Sequence, residues 1–369
     1  MDLFDIENKL KNGEIIENII PNDELCLIAA ENGCLNVLKW LKVNAPTFTW
    51  SSDICLASAK NGRLEVLEWL RTQESPCPLH NDLYYIAVEN GHLEILQWLH
   101  AHEPEFMLPF DICLIAVENG QLEILQWLLF HAHVPLHNNA SLLAIQNGHL
   151  ELLQWLRAQG YALPNNSCFT AIRNGHLEVL QWLREQSFEL PNDACQHAAS
   201  AGHLNILQWL RGQEPPCDWD ENTCLVTAEI GNIEILEWLR TQDPPCPWSS
   251  ETCYAAAVLG KLEVLQWLRA QEPPCPWSKR ILDGAKYTNN LEILEWLKTQ
   301  NTGWILNKVH NPTIDIPHEQ CCICLEHMVN VQTVCLHNYC YDCLYENFET
   351  RKECPLCRTI ITHVFAKEE

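Results

Sequence analysis

Apolar residues in this chain recur in short stretches such as LEVLEWLR (64–71) and LEILQWLH (93–100). In the first, Leu64, Leu67 and Leu70 fall at i, i+3 and i+6, Val66 and Trp69 widen the stripe, and Glu65 and Glu68 lie opposite. That pattern predicts a short, mostly buried helix. Another helix is expected before each such stretch. It starts at an acid or Asn (Asp53, Asp82, Asn139, Asn222 among them), residues suited to a helix N-cap or first turn. It stops at a Gly seven positions before the Trp, such as Gly62 or Gly120, because Gly tolerates the left-handed conformation that ends helices.

This helix–Gly–helix unit repeats. Trp-Leu pairs begin at 40, 69, 98, 127, 155, 182, 209, 238, 267 and 296, at steps of 27 to 29 residues, so the unit occurs ten times. A fixed period of this kind predicts a solenoid. Asn289 replaces Gly in the tenth copy, whose first helix (KRILDGAKY, 279–287) is also unusually basic and reads as a polar terminal cap. Four residues before each Gly stands a small residue, from Ala29 to Ala256, which lets neighbouring helices approach.

Three further columns bear on chemistry. Cys recurs seven residues before the Gly (Cys26, Cys55, Cys113, Cys168, Cys195, Cys224, Cys253) and is read as a buried small hydrophobe, since each copy supplies one thiol and no constant partner. Connectors such as DPPCPW (243–248) carry Cys77, Cys217, Cys246 and Cys275, read as loop packing. The His of GHLE (His92, His149, His176, His203) sits at a helix start, where a cap or inter-repeat hydrogen bond is expected rather than catalysis. The ten Trp are expected in the core. Nothing in the array resembles a nucleophile with its base, or a phosphate loop.

Composition narrows the function. The net charge of −25 lacks the basic footprint of a nucleic-acid binder and would be repelled by anionic lipid, so neither partner is expected. No apolar run is long enough to span a membrane. The opening MDLFDIENKL has no basic or apolar region of a secretory signal, so a cytoplasmic site is expected, with the 20 cysteines buried or metal-bound rather than paired in disulfides.

The motif AxxNGHLEVLxWL resembles the ankyrin repeat. The TPLH part is missing, with Asp53, Ile54 and Cys55 where Thr, Pro and Leu would stand, and the period is shorter than 33. The inter-repeat hairpin is therefore expected to be cut down. The shortened, Trp-rich form resembles ankyrin proteins of large DNA viruses, which would make the location host cytoplasm. The resemblance implies a protein-binding array, without catalysis, that presents the first helices and connectors to a protein substrate.

The rhythm breaks after residue 300. Cys321-x2-Cys324, Cys335-x-His337, Cys340-x2-Cys343 and Cys354-x2-Cys357 follow in order. Thiolates three apart can reach one tetrahedral Zn²⁺, and eight ligands make two sites. So short a module needs the metal for its folding free energy. The order and spacing resemble the C3HC4 RING finger. By that resemblance Cys321, Cys324, Cys340 and Cys343 hold one zinc and Cys335, His337, Cys354 and Cys357 the other, both structural because no ligand position is open. Cys322 offers an alternative to Cys321 in CCIC.

The resemblance further implies a RING-type E3 ubiquitin ligase, a transferase without a covalent ubiquitin intermediate. Its E2 contacts would be Ile323, Leu344 or Phe348 on the following helix, and Pro355; Arg358 would bridge E2 and ubiquitin. Asn347 departs from the family's aromatic residue at that position, which favours the alternative, a non-catalytic ankyrin/RING adaptor or assembly scaffold. RING dimerisation is left open. The expected fold is mainly α: a cap (1–21), an ankyrin-like solenoid (22–300), a linker (301–317), a small α+β RING domain (318–362) and a tail (363–369).

Overall fold

The structure is a computed structural model and describes residues 3–12, 23–45, 49–80, 82–103, 107–300, 307–310, 322–325, 331–333, 335–339, 344, 348 and 351–366. The chain forms two compact units, Met1–Pro191 and Asn192–Glu369.

Within the first unit, helices run in antiparallel-style pairs from Asp23–Asn32 with Leu35–Asn44 to Ser167–Asn174 with Leu177–Glu185, preceded by a helix over Leu3–Lys11. Each first helix packs on its own second helix and on the first helix of the next pair. The small-residue column explains that stacking. Ala29, Ser58, Ala87, Ala116, Ala144 and Ala171 are all fully buried, and no larger side chain holds the helices apart. The second helices bury a narrower stripe than the sequence suggests. In Leu64–Arg71 the fully buried residues are Val66, Leu67 and Leu70, whereas Leu64 and Trp69 are half-buried.

The helix ends show why Gly recurs. Gly62 N–H donates to Ala59 O (3.2 Å) and Arg63 N–H to Ser58 O (2.8 Å), the paired bonds of a Schellman motif. Gly62, Gly91, Gly120 and Gly148 all have φ between +69° and +77°. A second constraint comes from the next repeat. His92 Nε2 lies 2.9 Å from Lys60 O and His149 Nε2 2.8 Å from Glu118 O, each pairing with a carbonyl that the helix end leaves open. The ring then fills the space a Cβ would need: at Gly120 it would lie 2.6 Å from His149 Nδ1. The inter-repeat role expected of the GHLE histidines is thus observed at His92, His149 and His176.

The acid/Asn column is less uniform than expected. Asp82, Asp111, Asn139, Asn166 and Asp193 occupy N-cap positions, yet none makes a side-chain cap bond. Asp111 instead accepts from the Tyr85 hydroxyl at 2.8 Å.

The second unit repeats the same helix pairs, from Ala194–Ser200 with Leu204–Arg211 to Arg280–Tyr287 with Leu291–Thr299. Here residues outside the acid/Asn column provide the caps. Asp220 accepts from Asn222 N, and Ser249 forms a capping box with Thr252. The ten Trp are a correction to the expected core: every one is half-buried. In this unit Trp248 meets Trp267 edge-on (centroids 6.3 Å apart) and carries the Arg240 guanidinium 3.9 Å from its ring centroid. Arg240 Nη1 also donates to Cys246 O at 2.7 Å. Trp219 with Arg211 and Trp277 with Arg269 repeat the stack. The described connectors contain no strand, as the shortened period requires. In the tenth copy, Arg280 turns back onto the preceding pair, over the Tyr254 ring and against Glu251.

The rest of the second unit is a four-stranded sheet in the order β1 (Asn307–His310), β4 (His363–Ala366), β2 (Val331–Thr333), β3 (Asn338–Tyr339). β1 and β4 are parallel; β2 is antiparallel to both β4 and β3. This corrects the expected linker and tail, since both supply strands. Parallel pairing requires a long crossover, and here the crossover is the Cys/His-rich segment itself. Val364 and Ala366 alternate into the core, a period-2 signal too short to stand out in sequence.

Candidate metal centre

The hairpin of β2 and β3 carries Cys335 and His337 in its turn, and residues 353–360 carry Cys354 and Cys357. That second segment is fixed by its backbone: Glu353 bridges Ile360, Cys354 N–H donates to Thr359 O (2.8 Å) and Arg358 N–H to Cys354 O (2.9 Å). The small core of Val331, Tyr339, Leu344, Phe348, Ile361 and Val364 holds the two segments together.

As a result, one ligand atom from each of Cys335, His337, Cys354 and Cys357 lies within 4.8 Å of every other. His337 Nδ1 is 3.5 Å from Cys335 Sγ and 3.4 Å from Cys354 Sγ. A tetrahedral ion with a Zn–S bond of about 2.3 Å and Zn–N of about 2.0 Å spaces N and S by about 3.5 Å. The donor set fits a thiophilic tetrahedral ion in both chemistry and spacing.

Three hydroxyls surround the thiols. Thr333 Oγ1 is 3.1 Å from Cys335 Sγ, Tyr339 Oη 3.3 Å from Cys354 Sγ, and Thr359 Oγ1 3.1 Å from Cys357 Sγ. Thr333 is fully buried and also accepts from His337 N–H at 3.1 Å. The sequence reading missed all three. The available signal was a hydroxyl residue two positions from each of two ligands, Thr333 before Cys335 and Thr359 after Cys357.

The thiols are not equivalent. Hydrogen bonds from the Thr359 hydroxyl and backbone bring the Cys357 thiol down to about 6, so it is ionised at neutral pH. Burial, reinforced by thiol contacts with Cys357 and Cys354, pushes Cys335 up. Burial and the bond to Cys354 likewise raise the Tyr339 phenol, which stays protonated.

Of the other expected ligands, Cys324 is described and half-buried against the module core. Cys321, Cys340 and Cys343 lie outside the described residues, as does Asn347. The expected partner contacts divide. Ile323 is 44% exposed, and Pro355 and Arg358 are exposed in the turn around the last two ligands. Leu344 and Phe348 are corrections: both are fully buried in the module core, packed with Val331, Tyr339, Ile361 and Val364. Leu356, beside Pro355, is 62% exposed and was not anticipated. Arg358 has φ of +61°, an uncommon conformation for a residue with a side chain.

A family model of ankyrin repeats (three copies) matches residues 113–193, and one of the ring finger domain matches residues 319–358. No curated protein matches the chain.

Proposed function

We propose that this chain, an array of ankyrin repeats followed by a RING finger, is a RING-type E3 ubiquitin ligase whose array recruits a protein substrate. The observation that carries the reading is the turn 354–358. It places two members of the Cys/His cluster around Pro355 and Leu356, with Arg358 directly after them, and all three non-ligand side chains face solvent. An exposed apolar pair beside a cation suits docking of a folded partner.

Zn²⁺ would be held by Cys335, His337, Cys354 and Cys357, and a second ion by Cys324 with Cys321, Cys340 and Cys343. When bound, the metal supplies folding free energy, not Lewis-acid chemistry, since four protein ligands close the coordination sphere. The chain's own residues do the rest. Ile323, Pro355 and Leu356 give an E2 enzyme an apolar footing. The Arg358 fork grips E2 and ubiquitin together, holding the thioester in an attack-ready pose. The array keeps substrate lysines at high local concentration. As in other RING fingers, ubiquitin would pass directly from E2 to substrate, with no covalent intermediate on this chain. Both units lack a described helix long and apolar enough to cross a membrane.

A non-catalytic adaptor is the second reading, favoured by Asn347 where the family carries an aromatic residue. In-vitro ubiquitination with zinc-loaded protein and a panel of E2 enzymes separates the two. Chains that vanish in Ile323→Ala and fall in Arg358→Ala, with zinc content unchanged, support the ligase. Absence of chains with every E2 from protein carrying its zinc leaves the adaptor.

A further inference from the structure

The repeat array contains thiols that the metal module does not use, and in four repeats they face one another. In three consecutive repeats Cys195 lies beside Cys217, Cys224 beside Cys246 and Cys253 beside Cys275, each helix thiol within 3.7 to 4.0 Å of its mate's carbonyl oxygen. Cys55 and Cys77 form the same pair in an earlier repeat. The partners are always 22 residues apart: one on the first helix, the other in the connector that folds back beneath it. This revises the sequence reading, which gave the helix cysteines no constant partner.

The geometry is tight and repeated. Cys195 Sγ lies 3.7 Å from Cys217 O, and Cys224 Sγ 3.8 Å from Cys246 O. Each connector thiol also reaches an earlier backbone carbonyl where one is placed for it: Cys77 Sγ to Ser51 O at 3.1 Å, Cys246 Sγ to Asp220 O and Cys275 Sγ to Ser249 O at 3.4 Å. Every pair has a guanidinium beside it, with Arg71 Nη1 2.9 Å from Cys77 O and Arg211 Nη1 2.6 Å from Cys217 O. The repeat of Cys168 keeps such a guanidinium, with Arg184 Nη1 2.8 Å from Phe188 O, but has no second thiol, and the repeat of Cys113 has neither. Cys113 faces Val134 O at 3.9 Å, and the corresponding helix-end position there is Leu129.

We propose that these four pairs are oxidation sites that close to intra-repeat disulfides with hydrogen peroxide, Cys195–Cys217 first. The order follows from access, since Cys217 is half-buried whereas Cys77, Cys246 and Cys275 are fully enclosed. Reactivity agrees with access. The thiol bond from Cys195 brings the Cys217 thiol down to about 7, while the same contact and burial push Cys195 up, so Cys217 is the sulfur that attacks.

The chemistry balances. The Cys217 thiolate attacks one peroxide oxygen, the O–O bond breaks, and the departing hydroxide takes a proton to become water. The resulting sulfenic acid is attacked by Cys195 sulfur, an S–S bond forms, and the S–O bond breaks to release a second water. Two thiols are oxidised and one peroxide is reduced. Each bridge ties a first helix to its own connector, which is otherwise held by single bonds such as Cys217 N–H to Leu210 O (3.1 Å) and Arg211 Nη1 to Cys217 O (2.6 Å). Local opening of that repeat is thereby suppressed.

The test uses the full zinc-loaded chain. After a peroxide pulse, remaining thiols are blocked with N-ethylmaleimide and the unreduced digest is read by mass spectrometry. The expected result is a linked Cys195–Cys217 peptide pair appearing first, roughly 2 Da lighter than the sum of its thiol peptides. The other three pairs follow, all reversed by dithiothreitol, and Cys113 and Cys168 remain blocked as single thiols. In Cys195→Ala, Cys217 should instead stop as a sulfenic acid trapped by dimedone. Amide exchange over 195–217 should slow at least several-fold in the oxidised wild type. The proposal is overturned if Cys217 and Cys195 are both recovered as blocked thiols after the pulse. It is equally overturned if Cys113 and Cys168 cross-link as fast as the pairs, or if Cys217 in the wild type runs on to sulfinic acid without linking.

Discussion

Thr333 is the most informative single position in the metal module. Its side chain is fully buried, lies 3.1 Å from Cys335 Sγ and accepts His337 N–H at 3.1 Å, so one hydroxyl orients two of the four clustered ligands. Thr333→Val keeps the shape and removes only the hydroxyl. The loss of a hydrogen bond to a charged thiolate costs about 1.5–3 kcal/mol. Leaving His337 N–H without that acceptor adds to it. A total of at least about 2 kcal/mol corresponds to a roughly 30-fold or greater loss in zinc affinity, in line with the effect of outer-shell changes at other metal sites. Titrating zinc-loaded protein with a chromophoric chelator measures this directly, and Thr333→Ser, which restores the hydroxyl, should recover most of the affinity. Thr359→Val should cost less, because Cys357 is exposed and water can replace the lost bond. Equal zinc affinity of Thr333→Val and wild type, with the module folded in both, would refute the orienting role.

Other outcomes follow from the same contacts. Gly120→Ala forces a side chain into φ of +69° and sets its Cβ 2.6 Å from His149 Nδ1, so the unfolding free energy from urea titration should fall by more than the roughly 1 kcal/mol expected for the left-handed backbone alone. Adding His149→Ala should return part of that loss, and strictly additive effects would show that the ring does not fill the space. Leu207→Ala, at a fully buried position of the second unit, should destabilise by about 2–5 kcal/mol in urea unfolding. Zinc uptake should release protons at pH 7, because Cys335 is pushed up and still holds its proton whereas Cys357, near 6, does not. Below pH 6 both thiols are protonated in the metal-free module, so apparent affinity should fall more steeply with acidity there; calorimetry in buffers of different ionisation enthalpy reads both effects.

Much of this protein is legible in one dimension because a repeat protein is close to one-dimensional. The Trp ruler, the Gly column and the small-residue column each report a contact with the adjacent unit, so their period in sequence is their period in space. The family of the C-terminal module is legible for a related reason: metal ligands must come in closely spaced pairs to reach one ion.

Tertiary structure decided what depends on surfaces meeting from elsewhere. The Trp column reads as core from its place on an apolar stripe, but the connectors cover only part of each ring and add Arg240 and its counterparts above the connector tryptophans. Leu344 and Phe348 read as partner contacts from their place after Cys343, yet the sheet brings Val331, Tyr339 and Val364 against them and they become core. Segments with no periodicity, at 307–310 and 363–366, became strands because each found the other across the intervening module. The paired thiols carry the same lesson. Spacing of 22 residues means nothing along a chain until a connector folds back under its own helix, and only then does a packing cysteine acquire a partner to react with.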